Sequence, residues 1–196
     1  MNLAVVVLAA GVSRRFGAPN KLLQEFHGEP LLCTTLRLAK TVPDAEYWAV
    51  CSEETLPLAE QAGFRTVVNP APELGQSHSL RLGLRQCRHT EGCIFLTGDQ
   101  PFVRAETLQN LIAAHAKEPS CIIGCNVGGR FRIPSLFPAG VYEELLRQEG
   151  DIGGREVMRA HPELVRLIPV EKWEHFDIDT PEDLQKAQNY LNHRRL

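Results

Sequence analysis

No Cys-x-x-Cys pair occurs in this chain of 196 residues, no apolar run is long enough to cross a bilayer, and positive charge is not in excess. Each absence closes off a class of protein. The six cysteines (33, 51, 87, 93, 121 and 125) are scattered through apolar contexts and read as small buried hydrophobes of a reducing compartment. Cys121 and Cys125 fall on one face of a predicted strand, but a structural zinc site needs four ligands and no others stand nearby. With 21 Lys+Arg against 24 Asp+Glu, the net charge of −3 argues against a surface that coats nucleic acid. The chain passes from Met1-Asn2 straight into its first apolar run, without a basic n-region or a small-residue cleavage site. The expected setting is therefore cytoplasmic, with no nucleic acid and no membrane as partner.

Two common phosphate-binding spacings are missing as well, although the residues that build such loops are present. Ala4 to Ala10 is an unbroken, valine-rich apolar run that predicts a strand buried on both faces. From Gly11 to Lys21 the chain then carries two glycines, a serine, a proline and three cations, Arg14, Arg15 and Lys21, with no carboxylate among them. Phe16 stands where a Walker loop needs its second glycine, Leu22 follows Lys21, and Ser13 breaks a dinucleotide fingerprint. What remains is flexible, cationic backbone at the end of a strand, which suits a triphosphate: N–H groups wrap the phosphates and the cations neutralise them.

The rest of the chain alternates. Helices are expected over Pro30 to Val42, Glu53 to Ala62, a segment ending near Gln86, Arg104 to Lys117, Tyr142 to Arg147 and Glu156 to Ala160. Strands are expected over Tyr47 to Cys51, Phe64 to Asn69, Cys93 to Thr97, Ser120 to Cys125, Phe131 to Phe137, Leu164 to Val170 and Glu174 to Ile178. Such alternation implies β-α-β units in an α/β fold, a mostly parallel twisted sheet with helices on both faces. Past residue 118 strands follow one another, around a Gly128-Gly129 hairpin turn, which implies an antiparallel member and a small antiparallel lobe over the carboxyl edge. The expected organisation is a single domain: a nucleotide-binding half to about 117, an acceptor half over about 118–180 and a C-terminal helix over 181–193.

Three carboxylates resist a purely structural reading. Asp99 follows Gly98 at the end of a buried strand and lies too far ahead of the next helix to cap it, a role that Thr107 and Glu106 fill better. Magnesium prefers oxygen ligands, one or two carboxylates plus substrate phosphates, so Asp99 is expected to hold Mg²⁺ against the triphosphate. Asp177 and Asp179 share one face of an expected strand and repel one another unless a cation lies beside them. Thr180 and Asp183, by contrast, form a capping box with Pro181 in the first turn. Gly75 to Ser79 reads either as a helix cap at Ser77 or Ser79 or as a second polar loop at the sheet edge. His78 in that loop reads as solvated or in contact with substrate.

With these residues together, the chain resembles the molybdenum-cofactor nucleotidyltransferases, and specifically the molybdopterin cytidylyltransferase branch of the MobA-like superfamily. The motifs are Leu8-Ala-Ala-Gly-Val-Ser-Arg-Arg-Phe-Gly17, Asn20-Lys-Leu-Leu23, Gly75 to Leu80, Gly98-Asp-Gln-Pro101, Gly150-Asp-Ile-Gly-Gly-Arg155 and Asp177-Ile-Asp-Thr-Pro-Glu-Asp183. The resemblance implies a Rossmann-like nucleotidyltransferase fold and a Mg²⁺-dependent transfer of CMP from CTP to the phosphate of molybdopterin. It implies Arg15, Lys21 and Asp99 as catalytic residues, and Leu8, Ala9, Ala10, Gly11, Ser13, Arg15, Lys21, Ser79 and Gly98 as the nucleotide site. It places Gln100, Pro134, Asp151 and Arg155 on the acceptor, and Asp99 with Asp179 or Asp177 on the metal. A molybdenum hydroxylase or its maturation factor is the implied protein partner.

Ala10, where the guanylyl-transferring sibling usually has glycine, narrows the space beside the base and favours a pyrimidine, although one methyl group shifts discrimination by only about 1–3 kcal/mol. Phe16 departs from a usual methionine, Arg132-Ile133-Pro134 from a glycine or asparagine before the proline, and Gly154 from a frequent alanine. The alternatives left open are a guanylyltransferase using GTP, a cytidylyl- or uridylyltransferase acting on a sugar or polyol phosphate, and a non-catalytic carrier of the molybdenum cofactor.

Overall fold

The computed structural model describes residues 1–13, 15–17, 20–128, 130–150 and 154–194. At its centre lies β1 (Leu3–Ala9), every residue of which is buried. Alternate side chains of a strand point to opposite faces, so Val5 and Val7 enter one core and Ala4, Val6 and Leu8 a second. An apolar run without alternation is what a strand covered on both sides requires.

Around β1 the main sheet has the order β5-β4-β1-β6-β8-β7-β9. Its members are β4 (Glu46–Cys51), β5 (Arg65–Val68), β6 (Gly92–Thr97), β7 (Ile122–Val127), β8 (Arg130–Pro138) and β9 (Val165–Pro169). All neighbouring pairs are parallel except those made by β8, which runs antiparallel to both β6 and β7. The small antiparallel sheet is a separate pair, β2 (Glu25–Phe26) and β3 (Glu29–Pro30), just after the first loop, whereas β7, β8 and β9 all join the main sheet. Among the described residues, no helix is long and apolar enough to cross a membrane.

Helices cover both faces. Leu32 and Leu36 of α1 (Leu31–Ala39), Ala59 of α2 (Leu56–Gln61), Leu108 and Leu111 of α4 (Ala105–Lys117) and Ala187 of α7 (Pro181–Arg194) pack into the core of Val5 and Val7. Leu80 and Leu84 of α3 (Gln76–Gln86), Leu145 of α5 (Tyr142–Arg147) and Val157 of α6 (Arg155–Ala160) pack against Val6 and Leu8. Gly83 lets α3 sit close on the sheet, since a Cβ there would come within 2.4 Å of a Val6 methyl.

Several expected elements differ. The second helix begins at Leu56 because residues 52–55 form a hydrogen-bonded turn, in which Ser52 N–H donates to Thr55 Oγ1 and the Thr55 hydroxyl to the Ala9 carbonyl, at 3.0 and 2.9 Å. Gly75 to Ser79 is neither capped by serine nor a loop. Gly75, at φ +86°, turns the chain, and Gln76 onward is already helix, with no side-chain cap. The predicted strand Glu174 to Ile178 is absent. Residues Lys172–His175 form a 3-10 turn, held because buried Glu174 accepts from the Arg104 N–H at 3.2 Å and from the Thr107 hydroxyl. Glu174 thus ties down the start of α4, where the sequence reading looked to Thr107 and Glu106, and α4 has no side-chain cap. The C-terminal helix extends through Arg194 and carries the expected capping box: the Thr180 N–H donates to Asp183 at 3.1 Å, and the Asp183 N–H to Thr180 Oγ1 at 3.1 Å. Gly129 of the expected hairpin turn lies outside the described residues.

Candidate functional site

A cleft of about 830 Å³ opens where the carboxyl ends of β1 and β6 meet, in the size range of small-molecule sites. In open α/β sheets this edge is where ligands gather. The first loop is shaped from within. Ser13 adopts φ +48°, rare for a residue with a Cβ, and is held there from both sides. Its carbonyl accepts from the Phe16 and Gly17 N–H groups, and its hydroxyl donates to Asn20 and accepts from the Lys21 N–H. Asn20 in turn accepts from the Leu22 N–H at 3.1 Å, so the loop closes back on the base of the cleft.

That closure places Lys21, 9% exposed, between two carboxylates. Its Nζ lies 2.7 Å from Asp99 and 2.8 Å from Asp179, and the other oxygen of Asp179 pairs with Arg15 at 2.9 Å. Burial alone would lower the pKa of the Lys21 ammonium, but Asp99 and Asp179 outweigh it and hold it above the usual lysine range. Asp99 is positioned by β6, and the Gly98 N–H donates to the Leu8 carbonyl at 3.0 Å. A Cβ on Gly98 would meet Leu32 at 2.9 Å, so glycine permits the close approach of α1. The Ile178 N–H donates to the Asp99 carbonyl at 3.1 Å, which lashes the Asp177–Asp179 segment to the end of β6 without a strand. Asp177 is exposed as a residue, and its carboxylate accepts from Gln100 Nε2 at 2.7 Å. Desolvation of that carboxylate, and the neighbouring charges of Asp99 and Asp179, push its pKa up.

Of the sequence-predicted residues, the structure brings Leu8, Ala10, Gly11, Ser13, Arg15, Lys21, Ser79, Gly98, Asp99, Gln100, Arg155, Asp177 and Asp179 to the wall of this cleft. Two are not among them. Ala9 points into the opposite core, because it alternates with Leu8 and Ala10 along β1. Pro134 lies in the irregular stretch of β8 between Ile133 and Ser135, which do line the cleft, and is not itself part of the wall. Asp151 lies outside the described residues. Ser79 accepts from buried Asn69 Nδ2 at 2.9 Å, and His78 Nδ1 lies 2.9 Å from Asn69 Oδ1, so His78 has a protein partner instead of a solvated role.

Sequence reasoning missed the far wall: Thr97, Phe131, Arg132, Ile133, Ser135 and Phe137. Four polar atoms along the cleft are buried without a hydrogen-bond partner, namely Thr97 Oγ1, Asp99 Oδ1, Gln100 Oε1 and Ser135 Oγ. Each such atom costs about 1–3 kcal/mol, which a bound ligand would recover. Among the described residues no three histidine, cysteine or carboxylate side chains converge on one point. A divalent ion here would therefore take at most two carboxylates from the described residues. That donor set fits magnesium, which keeps waters and substrate phosphates as its other ligands, and the orphaned Asp99 Oδ1 offers an open coordination point.

The first loop thus closes two cations onto two carboxylates at the carboxyl edge of the main sheet. The profile of the MobA-like NTP transferase domain matches residues 5–165, and the chain belongs to this family. It is 28% identical to Rv0371c from Mycobacterium tuberculosis H37Rv, with a TM-score of 0.82 over 96% of this chain and 97% of that one. The Rv0371C complex with manganese superposes with a TM-score of 0.78 at 25% identity over 96% and 99% of the two chains. Molybdopterin-guanine dinucleotide biosynthesis protein A from Archaeoglobus fulgidus, at 21% identity and a TM-score of 0.73 over 97% and 99%, shares the fold. Among curated relatives, the bifunctional protein GlmU of Leifsonia xyli is 34% identical over 70% of this chain and 28% of its own length. The chain spans about a quarter of the GlmU relatives it matches.

Proposed function

We propose that the protein transfers CMP from CTP to the phosphate of molybdopterin and releases pyrophosphate, with Mg²⁺ as cofactor. The observation that carries this reading is the meeting of Lys21 and Arg15 with Asp99 and Asp179 at the mouth of one cleft. Cations and carboxylates paired in this way can exchange partners, the cations turning to the triphosphate and the carboxylates to a divalent ion. Asp99 and Asp179 would hold Mg²⁺, since Lys21 brings them together; when bound, the ion neutralises charge on the phosphates and orients them.

Ser13 and Gly11 shape the phosphate side, and Lys21 and Arg15 offset the repulsion between two phosphates as the acceptor attacks the α-phosphorus in line. Such a nucleophile is already an anion at neutral pH, so no general base is needed. This agrees with a cleft wall that contains no histidine. The methyl of Ala10, 3% exposed in the wall, supports a pyrimidine. A molybdenum hydroxylase or its maturation factor would receive the product in the cytoplasm.

A second reading has a specific motive. The bifunctional IPC transferase and DIPP synthase of Thermococcus kodakarensis is 26% identical over 95% of this chain and 50% of its own length, which keeps a polyol or sugar phosphate as the competing acceptor. Incubating the protein with Mg²⁺, each NTP in turn and either molybdopterin or a polyol phosphate, and measuring pyrophosphate release, decides between them. Release only with CTP and molybdopterin is expected; release only with a polyol phosphate replaces the acceptor, and none with any pair rejects the transferase reading.

A further inference from the structure

On the far side of the cleft, three buried atoms wait for partners. Ser135 is 1% exposed and Gln100 6% exposed, yet Ser135 Oγ and Gln100 Oε1 have no hydrogen-bond partner, nor has Thr97 Oγ1. All three residues line the cleft. β6 pairs with β8 through Phe95 opposite Ser135, so Phe95, Thr97, Ser135 and Phe137 point to the same face of the sheet by strand alternation, and Gln100 follows just beyond the end of β6. The Phe131 ring lies across Gly124, whose absent Cβ would fall 1.9 Å from it. The result is a slot with aromatic sides and polar points on its floor.

Gln100 has a fixed polarity. Its Nε2 donates to Asp177 Oδ1 at 2.7 Å, so the amide cannot flip without setting its carbonyl against a carboxylate. Oε1 is therefore left as a buried acceptor without a partner, on a residue that lines the cleft.

We infer that Thr97, Gln100 and Ser135 form the recognition floor for the acceptor, that Gln100 reads a hydrogen-bond donor on its edge, and that Asp177 is a positioning residue for Gln100 and not a metal ligand. This rests on the transferase reading above and adds to it the chemistry the acceptor must carry: an edge of N–H or O–H donors. A flat heterocycle such as a pterin and a polyol both carry such donors, so both serve as probes.

Gln100→Met keeps the volume and removes the carbonyl; Asp177→Asn keeps the shape and removes the charge that holds the amide in place. Binding of pterin-6-carboxylate and of glycerol 3-phosphate is measured by titration, alongside CTP with Mg²⁺ and thermal melting. Gln100→Met should weaken one of the two probes by about tenfold, the affected probe identifying the donor edge, while CTP with Mg²⁺ binds as before. Asp177→Asn should weaken the same probe less, again with CTP and Mg²⁺ unaffected. Unchanged affinity for both probes in Gln100→Met overturns the inference, and so does loss of Mg²⁺-dependent CTP binding in Asp177→Asn. If the wild type binds CTP with Mg²⁺ but neither probe, the donor-edge assignment fails while the nucleotide reading stands; if CTP also fails to bind, the transferase reading itself falls.

Discussion

The two ends of the cleft differ in how their polar groups find partners. At the charged end Lys21, Arg15, Asp99 and Asp179 partner one another within 2.7–2.9 Å. At the far wall, which Arg132 also lines, the neutral side chains of Thr97, Gln100 and Ser135 leave atoms orphaned. Each group at the charged end keeps at least one partner, because desolvating an unpaired ion costs far more than desolvating a hydroxyl. Apart from Asp99 Oδ1, the charged groups must therefore trade partners to bind ligand, whereas the neutral ones only gain them.

The sharpest break of this comparison is Asp99→Ala. It removes the carboxylate at which the loop, β6 and the proposed metal meet. Pyrophosphate release should fall by about 10²–10³, while thermal melting shows a folded protein, since Asp179 still pairs with Lys21. Near-normal release would strip Asp99 of any role at the reacting phosphates.

Lys21→Met tests the exchange itself. With the cation gone, Asp99 and Asp179 lack their shared partner, so Mg²⁺ alone should bind more tightly to the empty protein, while CTP should bind about tenfold more weakly or worse for want of a charged hydrogen bond. Calorimetric titration reads both. Two affinities that fall together would make Lys21 a structural tie and end the idea of swapped partners.

The same contrast governs how much was legible in the residues. The Ala4 to Ala10 run, the cationic loop and Asp99 announce themselves because each conflicts with ordinary packing: no polar face, no balancing carboxylate, no helix to cap. Asp177 and Asp179 were legible as misfits, but the strand expected for them is absent, because their segment is tied by the Ile178 N–H to the Asp99 carbonyl and by Glu174 to the start of a helix 70 residues earlier in the chain. Thr97 and Ser135 left no trace. A hydroxyl in a strand is ordinary, and its lack of a partner belongs to the space around it. Ala9 misled for the reverse reason: it sits within a motif, but the strand's alternation turns it away.

Gly154 sharpens the picture of the far wall. A Cβ there would lie 2.3 Å from the ring tip of Phe137, so glycine is matched to a large side chain lining the cleft. Gly154→Ala should destabilise the fold by about 1–3 kcal/mol through overpacking. Adding Phe137→Leu should return part of that loss in a double-mutant cycle, because the two sites are in contact. Chemical denaturation supplies the four free energies. Strict additivity would mean that the ring is free to move aside and that this wall of the slot is soft.

The smallest effect lies away from the cleft, where a buried polar group has no ligand to wait for. His115 on α4 is 2% exposed, its Nδ1 has no partner, and burial holds its pKa below the usual histidine range. The unfolded chain takes up a proton near pH 6.5, whereas the folded chain resists until lower pH. From about pH 6.5 down to that lower folded-state pKa the unfolded state binds more protons, and stability falls as the pH drops through this window. Melting compared at about pH 7.5 and about pH 5.5 should show a smaller acid loss in His115→Gln than in the wild type. An equal loss in both would place the acid sensitivity in other groups and leave His115 as simple packing against Gly92, whose absent Cβ would come within 3.1 Å of the ring.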